Sequence, residues 1–156
     1  MIKTFVIAEA GVNHNGSEDL ALQLVDVAAR CGADAIKFQT FKADKLVRRG
    51  AAKAAYQQAA TGGGDQHSML AGLEMSDSLH HRLFERCAEK GIEFMSTPFD
   101  HEAADFLVEL GMKRIKIPSG EITNYPFLRH LAGKDRPLIL STGMADMEEI
   151  KAALAV

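Results

Sequence analysis

Short apolar runs alternate with longer segments of helical period along the chain. The apolar runs have the length of buried strands, and they predict β-strands at positions 4–10, 35–41, 93–97, 114–117 and 138–141. Between them, apolar residues recur three and four positions apart, as Leu20, Leu24 and Val27 do, and this spacing predicts amphipathic helices. The pattern is therefore one of five successive strand–helix units.

Capping signals mark where several of these helices begin and end. Ser17 and Ser76 stand before predicted helices, where a hydroxyl can accept a hydrogen bond from a first-turn amide. Asp146 and Glu149 form a capping-box pattern at the start of the last predicted helix. Glycine, a common helix terminator, follows the predicted helices at Gly32, Gly91 and Gly111.

Five strand–helix units imply a parallel sheet with right-handed crossovers, and hence an α/β fold. Two architectures use this pattern: a (β/α)8 TIM barrel and an open, flavodoxin-like parallel sheet. A complete barrel takes about 250 residues, so a chain of 156 residues would hold only about its first five βα units. Periodicity alone leaves both architectures open.

Charge and composition argue against some classes of protein. The formal net charge is −3 and the 18 lysine and arginine residues are scattered, whereas a nucleic-acid partner usually requires a basic stripe. The apolar run at the N-terminus is too short for a signal peptide or a membrane span. We therefore expect a cytoplasmic protein with neither nucleic acid nor a membrane as its partner. Its two cysteines, Cys31 and Cys87, fall on apolar helix faces, and we expect both to be reduced and buried.

Polar residues stand where each predicted strand ends. Lys37 and Gln39 are two positions apart, so they point to the same side of their strand. Burying a lysine without a partner is costly, and the carboxyl ends of barrel strands converge on one mouth. We therefore expect a single anion-binding site for a small molecule that carries a phosphate and a carboxylate. The residues expected at this site are Glu9, Lys37, Gln39, Thr97, Lys116, Ser119, Glu121 and Ser141.

Each of these residues also has a purely structural interpretation. A lone lysine near a strand end often lies on the surface, and Ser and Thr after a strand are common turn formers. The histidines do not predict a metal site, since His80 and His81 are adjacent on a helix and diverge. His14 either lines the anion site or makes hydrogen bonds within the first loop.

Five sequence blocks at the strand ends occur in an order typical of one enzyme family. They are EAGVNHNG at 9–16, KFQTFK at 37–42, STPFD at 96–100, KIPSGEI at 116–122 and LSTGM at 140–144, and Tyr56 with Gln57 in the long connection also fits. In these blocks the chain resembles the N-acetylneuraminate (sialic acid) synthase family, which includes bacterial synthases of sialic, legionaminic and pseudaminic acids. The resemblance implies that residues 1–156 are the N-terminal portion of a TIM-barrel domain, with the C-terminal half of the barrel and an antifreeze-like domain absent.

The resemblance implies an activity and a role for each candidate residue. The family condenses phosphoenolpyruvate (PEP) with N-acetylmannosamine or a related N-acetylated amino sugar, and the products are a nonulosonic acid and phosphate. Catalytic residues would be Glu9, Lys37, Lys116 and Glu121, and substrate-binding residues would be Gln39, Thr97, Ser119 and Ser141. Of these, Lys37, Thr97, Lys116, Ser119 and Ser141 would hold PEP, while Glu9, Gln39 and Glu121 would contact the amino sugar.

The resemblance also implies partners that this chain does not contain. A divalent cation, usually manganese, orients the sugar aldehyde, and its histidine ligands lie on later strands. The full-length enzyme would be a homodimer, and we expect residues 1–156 alone to be inactive. Pro118 stands where a small residue is expected, which would shift Ser119.

Two other functions remain open. One is a Schiff-base aldolase with Lys116 or Lys37 as its nucleophile, because burial lowers the pKa of an amine. The other is a non-catalytic half-barrel that binds a ligand or a partner without turnover.

Overall fold

A computed structural model describes residues 4–53, 55, 58 and 62–156. Strands and helices alternate as the hydrophobic pattern predicted. In chain order they are β1 (Ile7–Gly11), α1 (Glu18–Arg30), β2 (Ala35–Thr40), α2 (Ala43–Leu46), α3 (Gln66–Ala71), α4 (Asp77–Lys90), β3 (Glu93–Pro98), α5 (His101–Leu110), β4 (Ile115–Ile117), a 3-10 turn (Ser119–Glu121), α6 (Tyr125–Ala132), β5 (Leu138–Leu140) and α7 (Met147–Leu154). The five strand–helix units are confirmed.

The strands pair in parallel, as a chain of strand–helix units requires. β2 lies between β1 and β3 in a three-stranded sheet, and β4 pairs with β5 in a two-stranded sheet. β4 also runs beside β3, so the two sheets are neighbours. The α/β class is therefore confirmed. Because the pairing is parallel, the carboxyl ends of paired strands lie at the same edge of their sheet.

Alternation along β2 separates a helix-facing side from the opposite side. Ile36 and Phe38 belong to the hydrophobic core, together with Val25 of α1 and Leu83 of α4. Because successive strand residues point to opposite faces, Lys37 lies on the side away from these helices. The core thus packs against one side of β2, while Lys37 and Gln39 lie on the other side.

The capping predictions describe the helix ends well. The side chains of Ser17, Ser76 and Asp146 each accept a hydrogen bond from a first-turn amide, and Asp146 completes the capping box with Glu149. Cys87 is buried, as predicted, but the same prediction for Cys31 is wrong. Cys31 is the C-cap of α1, where the chain has left the packed face of the helix.

Two other predictions need correction. β1 begins at Ile7 rather than Thr4, because the Val6 amide donates to the Asp34 side chain instead of to a backbone carbonyl of β2, and the Val6 carbonyl oxygen accepts from the amides of Asp34 and Ala35 where the chain enters β2. The long connection after β2 contains the short helices α2 and α3, which the hydrophobic pattern did not predict. Tyr56 and Gln57 lie outside the described residues. Within the described residues, no helix is long and apolar enough to cross a membrane.

Candidate active site

Lys37 and Glu9 form an ion pair between the two neighbouring strands β1 and β2. They are register partners, and the Lys37 Nζ lies 2.6 Å from Glu9 Oε2. The Lys37 Nζ also donates a hydrogen bond to Thr97 Oγ1 on β3, at 3.3 Å. The Lys37 side chain is only 10% exposed, whereas that of Glu9 is 54% exposed. Strands β1, β2 and β3 thus hold one buried ammonium group at a place that solvent reaches from the Glu9 side.

Gly11 makes room for the Glu9 carboxylate. The β1–β2 register shifts between Glu9 and Gly11, and Gly11 has a left-handed φ of 53° that favours glycine. A Cβ atom there would lie 3.0 Å from Glu9 Oε1 and 3.7 Å from Gln39 Nε2. The structure therefore brings Glu9, Gln39, Lys37 and Thr97 together around the end of β2.

Lys116 supplies a second positive charge, from β4. Its Nζ donates hydrogen bonds to Ser141 Oγ at 2.5 Å and to the Ile117 carbonyl at 2.7 Å. Burial lowers the pKa of Lys116, the charge of Lys37 lowers it further, and the charge of Glu9 raises it. Lys116 thus lies close enough to the Glu9–Lys37 pair to be influenced by both charges.

Ser119 and Glu121 occupy the 3-10 turn that follows β4. The Ser119 side chain lies beside Gly143, since a Cβ at Gly143 would be 3.6 Å from Ser119 Oγ. The Glu121 carboxylate accepts a hydrogen bond from Asn124 Nδ2 at 2.7 Å, within its own turn. The structure therefore places Ser119 at the loop after β5, and it places Glu121 against Asn124 rather than against either lysine.

A buried hydrogen-bond chain that sequence reasoning missed lies behind the strand ends. Thr40 Oγ1 is 2.9 Å from His80 Nε2 and 2.7 Å from Ser96 Oγ, and His80 Nδ1 is 2.8 Å from the Ser76 carbonyl oxygen. Burial lowers the pKa of His80, which favours a neutral ring. A carbonyl oxygen can only accept, so Nδ1 carries the proton and donates, and Thr40 donates to Nε2. The one sequence signal was the spacing of Ser76 and His80, one helical turn apart.

His14 belongs to the packing of the first loop. It is fully buried, its ring lies 6.5 Å from that of Phe38 on the helix-facing side of β2, and its Nδ1 accepts a hydrogen bond from the Gly16 amide at 3.1 Å. Burial lowers the pKa of this histidine as well. Of the two alternatives left open by the sequence, the structure favours hydrogen bonding within the loop over lining the anion site.

The described residues do not form a metal-binding cluster of their own. Over residues 4–53, 55, 58 and 62–156, no group of three or more His, Cys, Asp or Glu side chains is arranged to hold a metal ion. What the strand ends offer is a pair of ammonium groups, several hydroxyls and the carboxylate of Glu9. This donor set suits an anion with several oxygen atoms, such as a phosphate ester that also carries a carboxylate.

Comparison with known proteins gives consistent relatives. The sequence profile of the NeuB family matches residues 24–156. The chain is 56% identical over 151 residues to the N,N'-diacetyllegionaminic acid synthase of Legionella pneumophila, which covers 96% of this chain and 42% of that protein. It is 49% identical to the N,N'-diacetyllegionaminic acid synthase of Campylobacter jejuni, over 100% of this chain and 47% of that protein.

A solved structure resembles the fold over almost the whole chain. The N-acetylneuraminic acid synthetase of Leptospira borgpetersenii, crystallised with citrate, superposes with a TM-score of 0.83 at 34% identity. The superposition covers 99% of this chain and 50% of that one. The chain thus spans half or less of the length of these relatives.

Proposed function

Because the chain belongs to the NeuB family, we propose that the protein carrying it condenses PEP with an N-acetylated amino sugar to give a nonulosonic acid and phosphate. N-acetylmannosamine or a related bacterial sugar is the second substrate. The names of the most similar relatives support a product of the sialic or legionaminic type. The protein acts in the cytoplasm.

The fold of the active protein in this proposal is a (β/α)8 barrel. Residues 1–156 supply its first five βα units, and the rest of the protein supplies the remaining barrel and an antifreeze-like domain. Support comes from the parallel strands and from the polar residues at their carboxyl ends, which is where TIM-barrel enzymes carry their active sites. The active assembly is a homodimer.

The observation that carries the proposal is the convergence of two lysines on one place, Lys37 buried and Lys116 partly buried. Lys37 and Lys116 come from different strands, yet the charge of Lys37 lowers the pKa of Lys116. Two neighbouring ammonium groups repel each other, so an anion bound between them is favoured by both. Lys37 with Thr97, and Lys116 with Ser141 and Ser119, bind the phosphate and the carboxylate of PEP.

The reaction forms one C–C bond and breaks one C–O bond. C3 of PEP attacks the aldehyde carbon of the open-chain sugar, and the aldehyde oxygen takes up a proton. Water then adds to the cationic C2, losing a proton, and the bond between C2 and the phosphate oxygen breaks to leave a ketone and inorganic phosphate. Lys37 and Lys116 stabilise the negative charge that builds up on the departing phosphate.

Glu9, Gln39 and Glu121 contact the amino sugar in this proposal. The half-exposed Glu9 carboxylate and the Gln39 amide lie together beside Gly11, where they can accept from and donate to sugar hydroxyl groups. Glu121 reaches the sugar from the turn after β4. A carboxylate in this position can also accept a proton from a hydroxyl group or from water.

The family resemblance implies a divalent cation, usually manganese, that would orient the sugar aldehyde. The described residues do not supply a set of three metal-binding side chains. Following the family resemblance, we propose that the histidine ligands of the cation lie on later strands, and we assign no step of this chain's residues to it.

The test is release of inorganic phosphate from PEP in the presence of N-acetylmannosamine and manganese. The full-length protein, the 156-residue chain and a full-length Lys37→Met variant are compared, with di-N-acetylated amino sugars tried in parallel. Sugar-dependent release by the full-length protein, lost in Lys37→Met, supports the proposal. No release with any sugar would contradict it and favour the non-catalytic binding module.

The lowered pKa of Lys116 favours a Schiff-base aldolase as a second candidate, since a neutral amine is the nucleophile in that chemistry. Borohydride reduction in the presence of pyruvate separates the two functions. A pyruvyl adduct on Lys116 would identify the aldolase, whereas the synthase leaves this lysine unmodified.

A further inference from the structure

We propose that Glu9 is the internal counterion of Lys37, and that the substrate anion must displace it to bind. This inference rests on the proposed function, because it concerns how PEP enters the same site. The carboxylate and the ammonium group are 2.6 Å apart, so the charge of Lys37 is already neutralised before any substrate arrives.

The two members of the pair differ in their freedom to move. Lys37 is held by burial and by its hydrogen bond to Thr97 on the next strand. The Glu9 side chain is more than half exposed. A displaced Glu9 carboxylate can be hydrated by water, whereas a displaced Lys37 ammonium group would be buried without a partner, which is far more costly. Glu9 is therefore the partner that moves.

The backbone at Gly11 leaves space for the Glu9 carboxylate in the position where it pairs with Lys37. The register shift after Glu9 and the left-handed conformation of Gly11 bring the chain close to the carboxylate, with space only because a Cβ is missing. An alanine at Gly11 would place its Cβ 3.0 Å from Glu9 Oε1. Gly11 is thus a positioning residue for the ion pair.

An incoming anion meets a competitor in this arrangement. A phosphate that approaches Lys37 while Glu9 is paired brings a second negative charge to the same ammonium group. The phosphate and the Glu9 carboxylate then repel each other. Once the anion pairs with Lys37, the Glu9 carboxylate is released. It is then free to accept a hydrogen bond from a sugar hydroxyl group. The counterion therefore weakens anion binding and links it to sugar binding.

The experiment measures the affinity of the full-length protein for PEP and, separately, for inorganic phosphate, by calorimetry without divalent cation. In Glu9→Gln, both anions are expected to bind roughly three- to tenfold more tightly than in the wild type, while sugar-dependent phosphate release falls. Gly11→Ala, if it folds, should also tighten anion binding. Glu102→Gln is the matched control, since it removes one negative charge that pairs with Lys45 instead.

The outcomes separate the two proposals. If the wild type binds inorganic phosphate but not PEP, the proposed function fails, yet tighter phosphate binding in Glu9→Gln still supports the counterion. Unchanged or weaker anion binding in Glu9→Gln would overturn the counterion even if the enzyme makes a nonulosonic acid. Equal tightening in Glu102→Gln, or no anion binding by either the wild type or Glu9→Gln, would overturn it too.

Discussion

Lys116 and Ser141 join β4 to the residue after β5 through a hydrogen bond of 2.5 Å from the lysine Nζ to the serine Oγ. This bond holds the ammonium group at the strand ends, where a charged donor is expected to contribute more than a neutral one. Replacing Ser141 with alanine leaves Lys116 with the Ile117 carbonyl as its remaining described hydrogen-bond partner. We predict that Ser141→Ala weakens PEP binding about tenfold or more. Calorimetry with PEP measures this, and Thr142→Ala, at the exposed adjacent position, should bind PEP as the wild type does.

The lowered pKa of Lys116 predicts how PEP binding depends on pH. Anion binding requires the charged amine, and Lys116 loses its proton at a lower pH than an ordinary lysine because it is buried and lies near Lys37. PEP affinity should therefore begin to fall on the alkaline side at a lower pH than an ordinary lysine would give. In Lys37→Gln the second cause is gone, so the midpoint of this fall should move to higher pH, although the affinity itself is weaker. An unmoved midpoint would mean that the two lysines do not influence each other.

A close approach at Gly16 predicts a stability effect that can be isolated. A Cβ at Gly16 would lie 2.6 Å from the Gly72 carbonyl oxygen, and Gly16 has a φ of 77°. Gly32 has the same φ, but a Cβ there would meet nothing within 4 Å. Gly16→Ala should reduce the free energy of unfolding by about 2–4 kcal/mol, and Gly32→Ala by only about 1 kcal/mol. Urea denaturation measures both, and equal losses would show that the contact with Gly72 has no energetic role.

The Thr40–His80–Ser96 chain predicts a second stability effect. Thr40→Val keeps the shape of the side chain but leaves His80 Nε2 and Ser96 Oγ without their shared partner. The expected loss in the free energy of unfolding is about 1–3 kcal/mol. Thr4→Val, at an exposed position, serves as the control and should change the stability little. A neutral result for Thr40→Val would show that water replaces the hydroxyl in this interior.

The buried histidine in that chain predicts sensitivity to acid. Burial lowers the pKa of His80 below its ordinary value of 6.5, so the unfolded chain takes up the proton first as the pH falls. Stability is therefore lost as the pH falls from about 6.5 through the lower, folded-state pKa, and it is fully present above 6.5. Thermal unfolding at several pH values should show a shallower acid loss in His80→Gln than in the wild type. His81→Gln, at the adjacent exposed histidine, should keep most of the loss, since the charge of His81 is the smallest of the causes that lower the pKa of His80.

Local signals in the sequence predicted the helix ends because the groups that form them are close in the chain. Ser17, Ser76 and Asp146 cap helices through contacts that span only two or three residues. Alternation likewise placed Lys37 and Gln39 on one side of β2, since that depends only on the pleat of a strand. The strand ends could thus be identified as the location of the candidate site from sequence alone.

The partners of the candidate residues could not be predicted, because they depend on register between strands. Glu9 lies opposite Lys37 only through the pairing of β1 with β2 and the register shift that follows Glu9. The exposure of Cys31 depends on where α1 leaves its packed face, and a helical pattern gives such boundaries only approximately. Glu121, predicted from its position after β4, faces Asn124 because a 3-10 turn rather than an extended loop follows the strand.

Ser96 and Thr97 are neighbours on β3 and face opposite ways, Ser96 toward Thr40 and Thr97 toward Lys37. If β3 paired with β2 one residue out of step, each face would still receive a hydroxyl group. The side-chain hydrogen bonds of Ser96 and Thr97 therefore do little to prevent this strand from pairing in the wrong register. The discrimination falls on the preceding residues, since a one-residue slip would turn the ring of Phe94 out of the helix-facing core and exchange it with Met95. The correct register of β3 against β2 thus depends on the shapes of apolar side chains. The hydrogen bonds at the site depend on two hydroxyl residues, Ser96 and Thr97, either of which could supply a hydroxyl group to either face.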